Sequence, residues 1–445
     1  MHILHNLDFD LVSSGSGMPL NRTVLHHASR PQEVIAQAEN LFRDPRTLQT
    51  VERGRLQLLL LQRYSLLGGK VRYGREFESF ECLDDGGVQA VFTDGGAVAG
   101  EYLVGADGVY SRARKALYQS LPVPAEEPSR CPLSTVFPLR ILAPVISRAI
   151  AFFINRPRWE VSPTHWTALY GVTTPLPAEL LTCCGEDNGM GTMHWFLRDT
   201  PGAYTTYSLQ GGRVFWICYQ RDPPSSGRRG RYTDAEATAT MNSYGDCLYS
   251  PCTTSPDGAP PVAFREITSR SERIMKVRLN HTFFRQIANP AGNVVVIGDA
   301  AHPMNTFHGQ GAAMGIEEAL VLCNALLRTS WAEEKEEVEV PGDKVGVRYF
   351  EQERLGRSER VTNLGWWFGM AVMGDWWIAR KVRDFVLERV LGKKPKKVKV
   401  AKPEEDGGRK GKTGREKKKK KREHWLFDHK INVETKEEFW ESLKS

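Results

Sequence analysis

Residues 293–320, NVVVIGDAAHPMNTFHGQGAAMGIEEAL, set a carboxylate, several glycines and an incoming helix directly behind a β-branched run. Val294, Val295, Val296 and Ile297 show no polar alternation, the pattern of a parallel strand covered on both faces. Gly298 and Asp299 end that run. Gly309, Gly311 and Gly315 then thin the side chains where the next helix begins, so backbone N–H groups are left uncovered at the positive end of its dipole. Such a terminus attracts an anion, and a carboxylate beside it accepts hydrogen bonds from hydroxyl groups. A ligand bearing both kinds of group suits these residues. Plainer duties suit them too: Asp299 as a helix cap and His302 as a satisfied core histidine.

Residues 102–117, YLVGADGVYSRARKAL, repeat the form: a short strand from Tyr102 to Val104, a Gly105–Gly108 turn containing Asp107, and a helix whose first turn carries Ser111, Arg112 and Arg114. Two junctions of this type imply one ligand between them. Upstream, VERGRLQLLLLQRY (51–64) supplies Arg53 at the start of a Leu-rich helix, and that arginine is either a third ligand contact or a surface charge.

Together these stretches resemble the FAD-dependent monooxygenases of the aromatic-hydroxylase-like, single-component flavoprotein family, over roughly residues 50–390. GADGVYSRAR matches the family's G-A-D-G-x-x-S-x-x-R motif, and GDAAHPMNTFHGQG matches its G-D-A-A-H followed by G-Q-G. The resemblance implies that Gly298 and Asp299 hold the ribityl side of FAD. It places Gly309, Gly311 and Ala312 at the pyrimidine edge, Arg53 along the phosphate-ribose side, and Asp107 in the turn that FAD and NAD(P)H approach. A helix terminus at the pyrimidine edge stabilises the negative charge of reduced flavin. The resemblance further implies NAD(P)H as co-substrate, and a C4a-hydroperoxide that delivers one atom of O2 to an apolar or aromatic small molecule by hydroxylation or epoxidation. Two other readings stay open: an impaired FAD-fold paralogue that acts by binding, and an FAD oxidase or dehydrogenase.

The chain also departs from the family pattern. The opening MHILHNLDFDLVSSGSGMPLN has glycines at 15 and 17, but Pro19 and Asn21 follow, so this stretch reads as a loop rather than the strand and G-x-G-x-x-G turn that bind ADP pyrophosphate. The first βαβ unit is therefore expected to be absent. Trp166 stands where fungal members acting on polyketide or terpenoid scaffolds carry a tyrosine, and an indole N–H donates a hydrogen bond but is no phenol acid. Neither Asn305 nor Thr306 is the proline that many members have there. No catalytic side chain is assigned.

The expected fold is α/β (α+β): a Rossmann-like FAD-binding domain, N-terminally incomplete, interleaved with a mixed-sheet substrate lobe. The FAD-binding domain is expected over 1–128 and 281–391 and the substrate lobe over 129–280. In that lobe HWTALYGV (165–172) reads as a strand and SLQGGRVFWICYQ (208–220) as a hairpin turning at Gly211-Gly212, with most of Trp166, Phe215, Trp216 and Tyr219 in the core.

At 445 residues and 41% hydrophobic content the chain supports real cores. Its eight cysteines show no metal spacing, which suggests free thiols in a reducing, cytoplasmic setting. LGWWFGMAVMGDWWIA (364–379) contains Asp375 and reads as a buried helix, with membrane-surface association the weaker alternative. Residues 392–423 carry sixteen Lys/Arg against five Asp/Glu, a net +11 that leaves −4 for the rest of the +7 chain. This segment is expected to be disordered, with no specific nucleic-acid partner. Residues 424–445, with Trp425, Phe427 and Phe439, are expected to dock on the body.

Overall fold

The computed structural model describes residues 4, 9–39, 48–122, 159–180, 190–221, 232–249, 262–307, 309–333, 345–374, 380–381 and 383–384. The expectations for 392–423, 424–445 and the first part of 129–280 lie outside the described residues.

Fifteen strands are described. The first seven are β1 (Gly17–His27), β2 (Arg30–Glu39), β3 (Gln49–Val51), β4 (Phe77–Cys82), β5 (Val88–Phe92), β6 (Ala97–Gly100) and β7 (Leu103–Gly105). After them come β8 (Pro163–Thr173), β9 (Gly191–Leu197), β10 (Ala203–Leu209), β11 (Arg213–Arg221), β12 (Leu248–Tyr249), β13 (Val262–Ala263), β14 (Ser271–Asn280) and β15 (Val294–Val296). The helices are α1 (Arg53–Leu66), α2 (Arg112–Ser120), α3 (Asp234–Gly245), α4 (Arg265–Thr268), α5 (Gly311–Glu333) and α6 (Val345–Met373).

The largest sheet has the order β14-β8-β11-β10-β9-β1-β2, with β3 pairing to β1. It is mixed, because β1 runs parallel to β9 while the other pairings are antiparallel. Period-two alternation along β11 gives each face its own core. Ile217 and Tyr219 face a cluster with Trp166, Trp195, Phe307 and Met373, whereas Val214, Trp216 and Cys218 face Tyr204, Tyr244 and Phe264. The expected hairpin is present, with Gly211 (φ 75°) and Gly212 (φ 68°) both left-handed between β10 and β11. Trp166, Trp216 and Tyr219 are core residues, and Phe215 is half-buried against the same face as Tyr219.

One sequence expectation is corrected here. Residues 17–21 are not loop but the start of β1, whose residues Met18, Leu20, Val24 and His26 are buried on one face. Pro19 is tolerated because it sits near the strand's start, opposite Gln49 of the three-residue β3, where little of the ladder is lost. By strand pairing, β1, β2 and β3 join the large sheet.

The second lobe is built on β15 and β7, which pair in parallel with Val294 opposite Leu103 and Val296 opposite Gly105. Val294, Val295 and Val296 are almost wholly buried, in a cluster with Ala113, Leu117, Ala300, Val321, Ala325 and Phe350 from the flanking helices. Gly105 permits that packing: a Cβ there would stand 2.5 Å from the Ala113 Cβ and 3.0 Å from Val296 Cγ1. Gly105→Ala is therefore expected to destabilise the protein by about 1–3 kcal/mol, measured as a shift in urea midpoint.

The Leu-rich helix α1 forms as expected but has no buried residue. Leu66 is 82% exposed, and residues 53–75 carry six Lys/Arg and no acid. At the far end of the chain, α6 takes up residues 364–373 of the Trp-rich stretch, with Val372 and Met373 buried and Trp367 exposed. Among the described residues no helix is long and apolar enough to cross a membrane.

Candidate functional site

Parallel pairing of β7 with β15 brings the two glycine turns side by side at the C-terminal ends of both strands, the position at which open α/β sheets bind ligands. The Ile297 N–H donates to the Gly105 carbonyl at 3.0 Å and locks the turns together. Arg114 adds a second tie. Its guanidinium donates to the carbonyls of Ala300 (2.7 Å), Val109 (2.8 Å) and Trp159 (2.9 Å) and lies 4.5 Å from the Phe284 ring centroid. Burial brings Arg114 down to about 10, partly offset by Asp107 and Tyr118, so it stays charged near neutrality.

Asp107 acts as a helix cap. One carboxylate oxygen accepts the N–H groups of Arg112 (2.7 Å) and Ala113 (3.0 Å), and Ser111 Oγ accepts that of Arg114 (2.8 Å). The first turn of α2 is thereby saturated, so little of its terminus remains for an anion.

The terminus of α5 differs. Met314 N–H already pairs with the Gln310 carbonyl, while helix geometry leaves the N–H groups of Gly311, Ala312 and Ala313 without intrahelical acceptors. A Cβ at Gly309 (φ 66°) or Gly311 would meet no heavy atom within 4 Å, so open space lies in front of this terminus.

Gly298 (φ 60°) begins the short 3-10 turn that carries Asp299. Asp299 is reached by solvent, yet enough protein surrounds it that burial raises its carboxyl above the usual range. His302 and Arg53 counter the rise and Glu318 adds to it, so Arg53, at the exposed start of α1, lies within electrostatic reach of Asp299. The preceding residue fixes that position, because Glu52 pairs with Arg213, which also binds Glu272 at 3.0 Å.

His302 is buried, and its Nε2 is 2.6 Å from Glu318 Oε1. Burial alone would lower its pKa, but the Glu318 carboxylate and Asp299 raise it overall. Glu318, itself disfavoured by burial, is held below the usual range by His302, Arg354 and the Gly298 N–H. The stability contributed by His302 is complete below its ordinary 6.5 and is lost as pH rises through its raised folded value. That contributed by Glu318 is present above its ordinary 4.5 and is lost as pH falls through its lowered folded value. Tm is therefore expected to plateau between these limits, and His302→Gln should flatten the alkaline decline in a Tm series against pH.

The segment from Pro303 to Phe307 joins this turn to the large sheet. Tyr219 Oη and Thr306 Oγ1 are 3.3 Å apart, and the Tyr219 ring lies 4.9 Å from Phe307 and stacks on Trp195 at 5.9 Å. Trp195 meets the half-exposed Phe368 of α6 edge-on at 5.9 Å. Deep burial raises the Tyr219 phenol well above its usual value, so it remains a neutral hydrogen-bonding group.

The structure sets the Gly298–Ala300 turn against α5, where a Gly298 Cβ would stand 3.9 Å from the Gly315 Cα, places Arg53 within electrostatic reach of Asp299, and assigns Asp107 to capping. Sequence reading missed Tyr219, Arg354 and Glu318 as site residues. Glu317-Glu318 inside the otherwise apolar stretch 311–323 was the available signal for the last.

A family model described as FAD binding domain matches residues 15–158. The chain is 26% identical over 245 residues to the FAD-dependent monooxygenase anuJ of Penicillium roqueforti, covering 54% of this chain and 25% of that protein. It is 30% identical over 241 residues to the FAD-dependent monooxygenase pynG of Aspergillus niger, covering 54% and 48%. The chain therefore spans half or less of the length of these curated relatives. Among solved structures, Klebsiella pneumoniae HpxO complexed with FAD and uric acid superposes with a TM-score of 0.61 at 16% identity, covering 88% of this chain and 82% of that one. At that identity the likeness concerns the fold.

Proposed function

We propose that the chain is an FAD-dependent monooxygenase, like the relatives it matches, that it holds FAD at the paired glycine turns, and that it uses NAD(P)H and O2 to oxygenate a small apolar or aromatic molecule. One observation carries the reading: the two glycine turns lie side by side at the ends of the paired strands β7 and β15, with the Gly298 turn against the Gly315 Cα of α5. The cradle fits the group, since Gly309 and Gly311 leave space where side chains would stand.

In this reading Asp299 accepts hydroxyl groups of the ribityl chain, and the N–H groups from Gly311 to Ala313 face the pyrimidine edge, where their dipoles favour negative charge. Arg53 complements the phosphate side. FAD, when bound, supplies the electron transfer and oxygen chemistry. Phe368, exposed and edge-on to the buried Trp195–Tyr219–Phe307 cluster, would offer apolar surface to substrate, while the Tyr219–Thr306 contact keeps that cluster in register with the turn.

Labelled dioxygen tests the reaction class. With NAD(P)H and an accepted aromatic substrate, one labelled atom is expected in the product and the other in water. Stoichiometric H2O2 with unlabelled product at saturating substrate would instead assign an oxidase.

A further inference from the structure

Glu318 is 2% exposed, and its carboxylate joins four elements. Oε2 accepts the Gly298 N–H at 2.7 Å, and Oε1 meets His302 Nε2 at 2.6 Å and accepts the Ser358 hydroxyl at 2.8 Å. Arg354 Nε lies 3.8 Å from the same oxygen. The end of β15, the exit of the Asp299 turn, α5 and α6 are therefore tied at one buried group. Glu318 lies two helical turns beyond Gly311 on the helix whose open end faces the cleft. The contact sits where it is needed, because Gly298 is in the left-handed region and Asp299 follows it directly.

Resting on the FAD reading above, we propose that Glu318 is the positioning residue of the cofactor site and that, through His302, it makes FAD affinity proton-linked, tighter when His302 carries its proton. The charges facing the cleft give the sign. Asp299 and Glu318 are anionic and His302 is cationic when protonated, so the three together carry −1. Loss of the proton makes them −2 and opposes an anionic cofactor. The other charged neighbours are Arg53 on α1, Arg354, and Glu317, which Arg357 grips with two hydrogen bonds of 2.7 Å while Arg354 adds one of 3.1 Å. Ser358 is neutral. His302 Nε2 stays on Glu318, and Nδ1, which has no hydrogen-bond partner among the described residues, is the atom that gains or loses the proton.

The experiment is FAD Kd from flavin fluorescence across a pH series, for the parent, Glu318→Gln and His302→Gln, with His302 followed by nitrogen-15 NMR in the apoprotein. Parent affinity is expected to fall about tenfold as His302 loses its proton. Glu318→Gln removes the charge that keeps His302 protonated, so its NMR titration should move to lower pH and its affinity profile should flatten, with the three groups carrying −1 as they do in the protonated parent. His302→Gln keeps a donor for Glu318 and should flatten the profile with circular dichroism unchanged, which covers the case of a poorly folding Glu318 variant. A merely structural Glu318 would lower Tm and leave the pH profile parental, and that result overturns the proposal. A parent that fails to bind FAD at any pH overturns the FAD reading itself, and the proposal with it.

Discussion

Asp299→Ala is expected to weaken FAD binding by about tenfold to a hundredfold, the loss that follows when a carboxylate's charge-assisted hydrogen bonds are removed. The apoprotein should not lose stability. Burial raises the Asp299 carboxyl in the folded chain, so its ionised form is less favourable there than in the unfolded chain, and Glu318 adds repulsion. Removing that charge relieves the folded state at neutral pH. A group that costs the empty protein stability while serving a ligand is what a binding site produces. Asp299→Asn retains acceptor oxygen and should fall between the parent and the alanine variant. The checks are Kd by flavin fluorescence and Tm of the apoprotein. A lower Tm with unchanged Kd would make Asp299 a cap and nothing more.

Arg114→Ala is expected to cost about 3–5 kcal/mol of unfolding free energy, read from urea denaturation. The guanidinium is 2% exposed, and its loss leaves the carbonyls of Ala300, Val109 and Trp159 without their donors and the Phe284 ring without its cation. Arg114→Lys should recover little, because an ammonium cannot reproduce the planar three-way geometry. The Ala300 bond links the two glycine turns, so near the parent's melting range the variant should lose FAD affinity together with stability. At low temperature, where it remains folded, the affinity loss should be smaller than for Asp299→Ala. That contrast separates a group that holds the site together from one that touches the ligand.

Both glycine junctions were legible in the sequence because their signals are local: a β-branched run, a turn that only glycine suits, and a helix with small residues in its first turn. The β10–β11 hairpin was legible for the same reason, through Gly211-Gly212. The partnership of β1 was not, because a parallel pairing with β9 joins residues far apart in sequence and leaves no local mark, and Pro19 and Asn21 mask the alternation of Met18, Leu20 and Val24. Helix α1 was legible as a helix, but its lack of buried residues was not, since burial depends on what packs against it. Asp107 illustrates a different limit. An Asp in a glycine turn before a helix fits a ligand contact or a cap equally well, and only the 2.7 and 3.0 Å bonds to Arg112 and Ala113 assign it. Glu318 was hidden because a glutamate inside a helix reads as a solvent-facing residue until Gly298, His302 and Ser358 are seen around it.

Convergence of two strand-end turns and one helix terminus on a single FAD is the central claim, and amide hydrogen exchange with and without FAD tests it most directly. Added FAD is expected to slow exchange in two separate stretches together, residues 297–302 and 309–314, with a smaller effect over 105–111 because the α2 terminus is already capped. Saturable FAD binding that protects only one of the first two stretches, or only residues elsewhere in the large sheet, would contradict it.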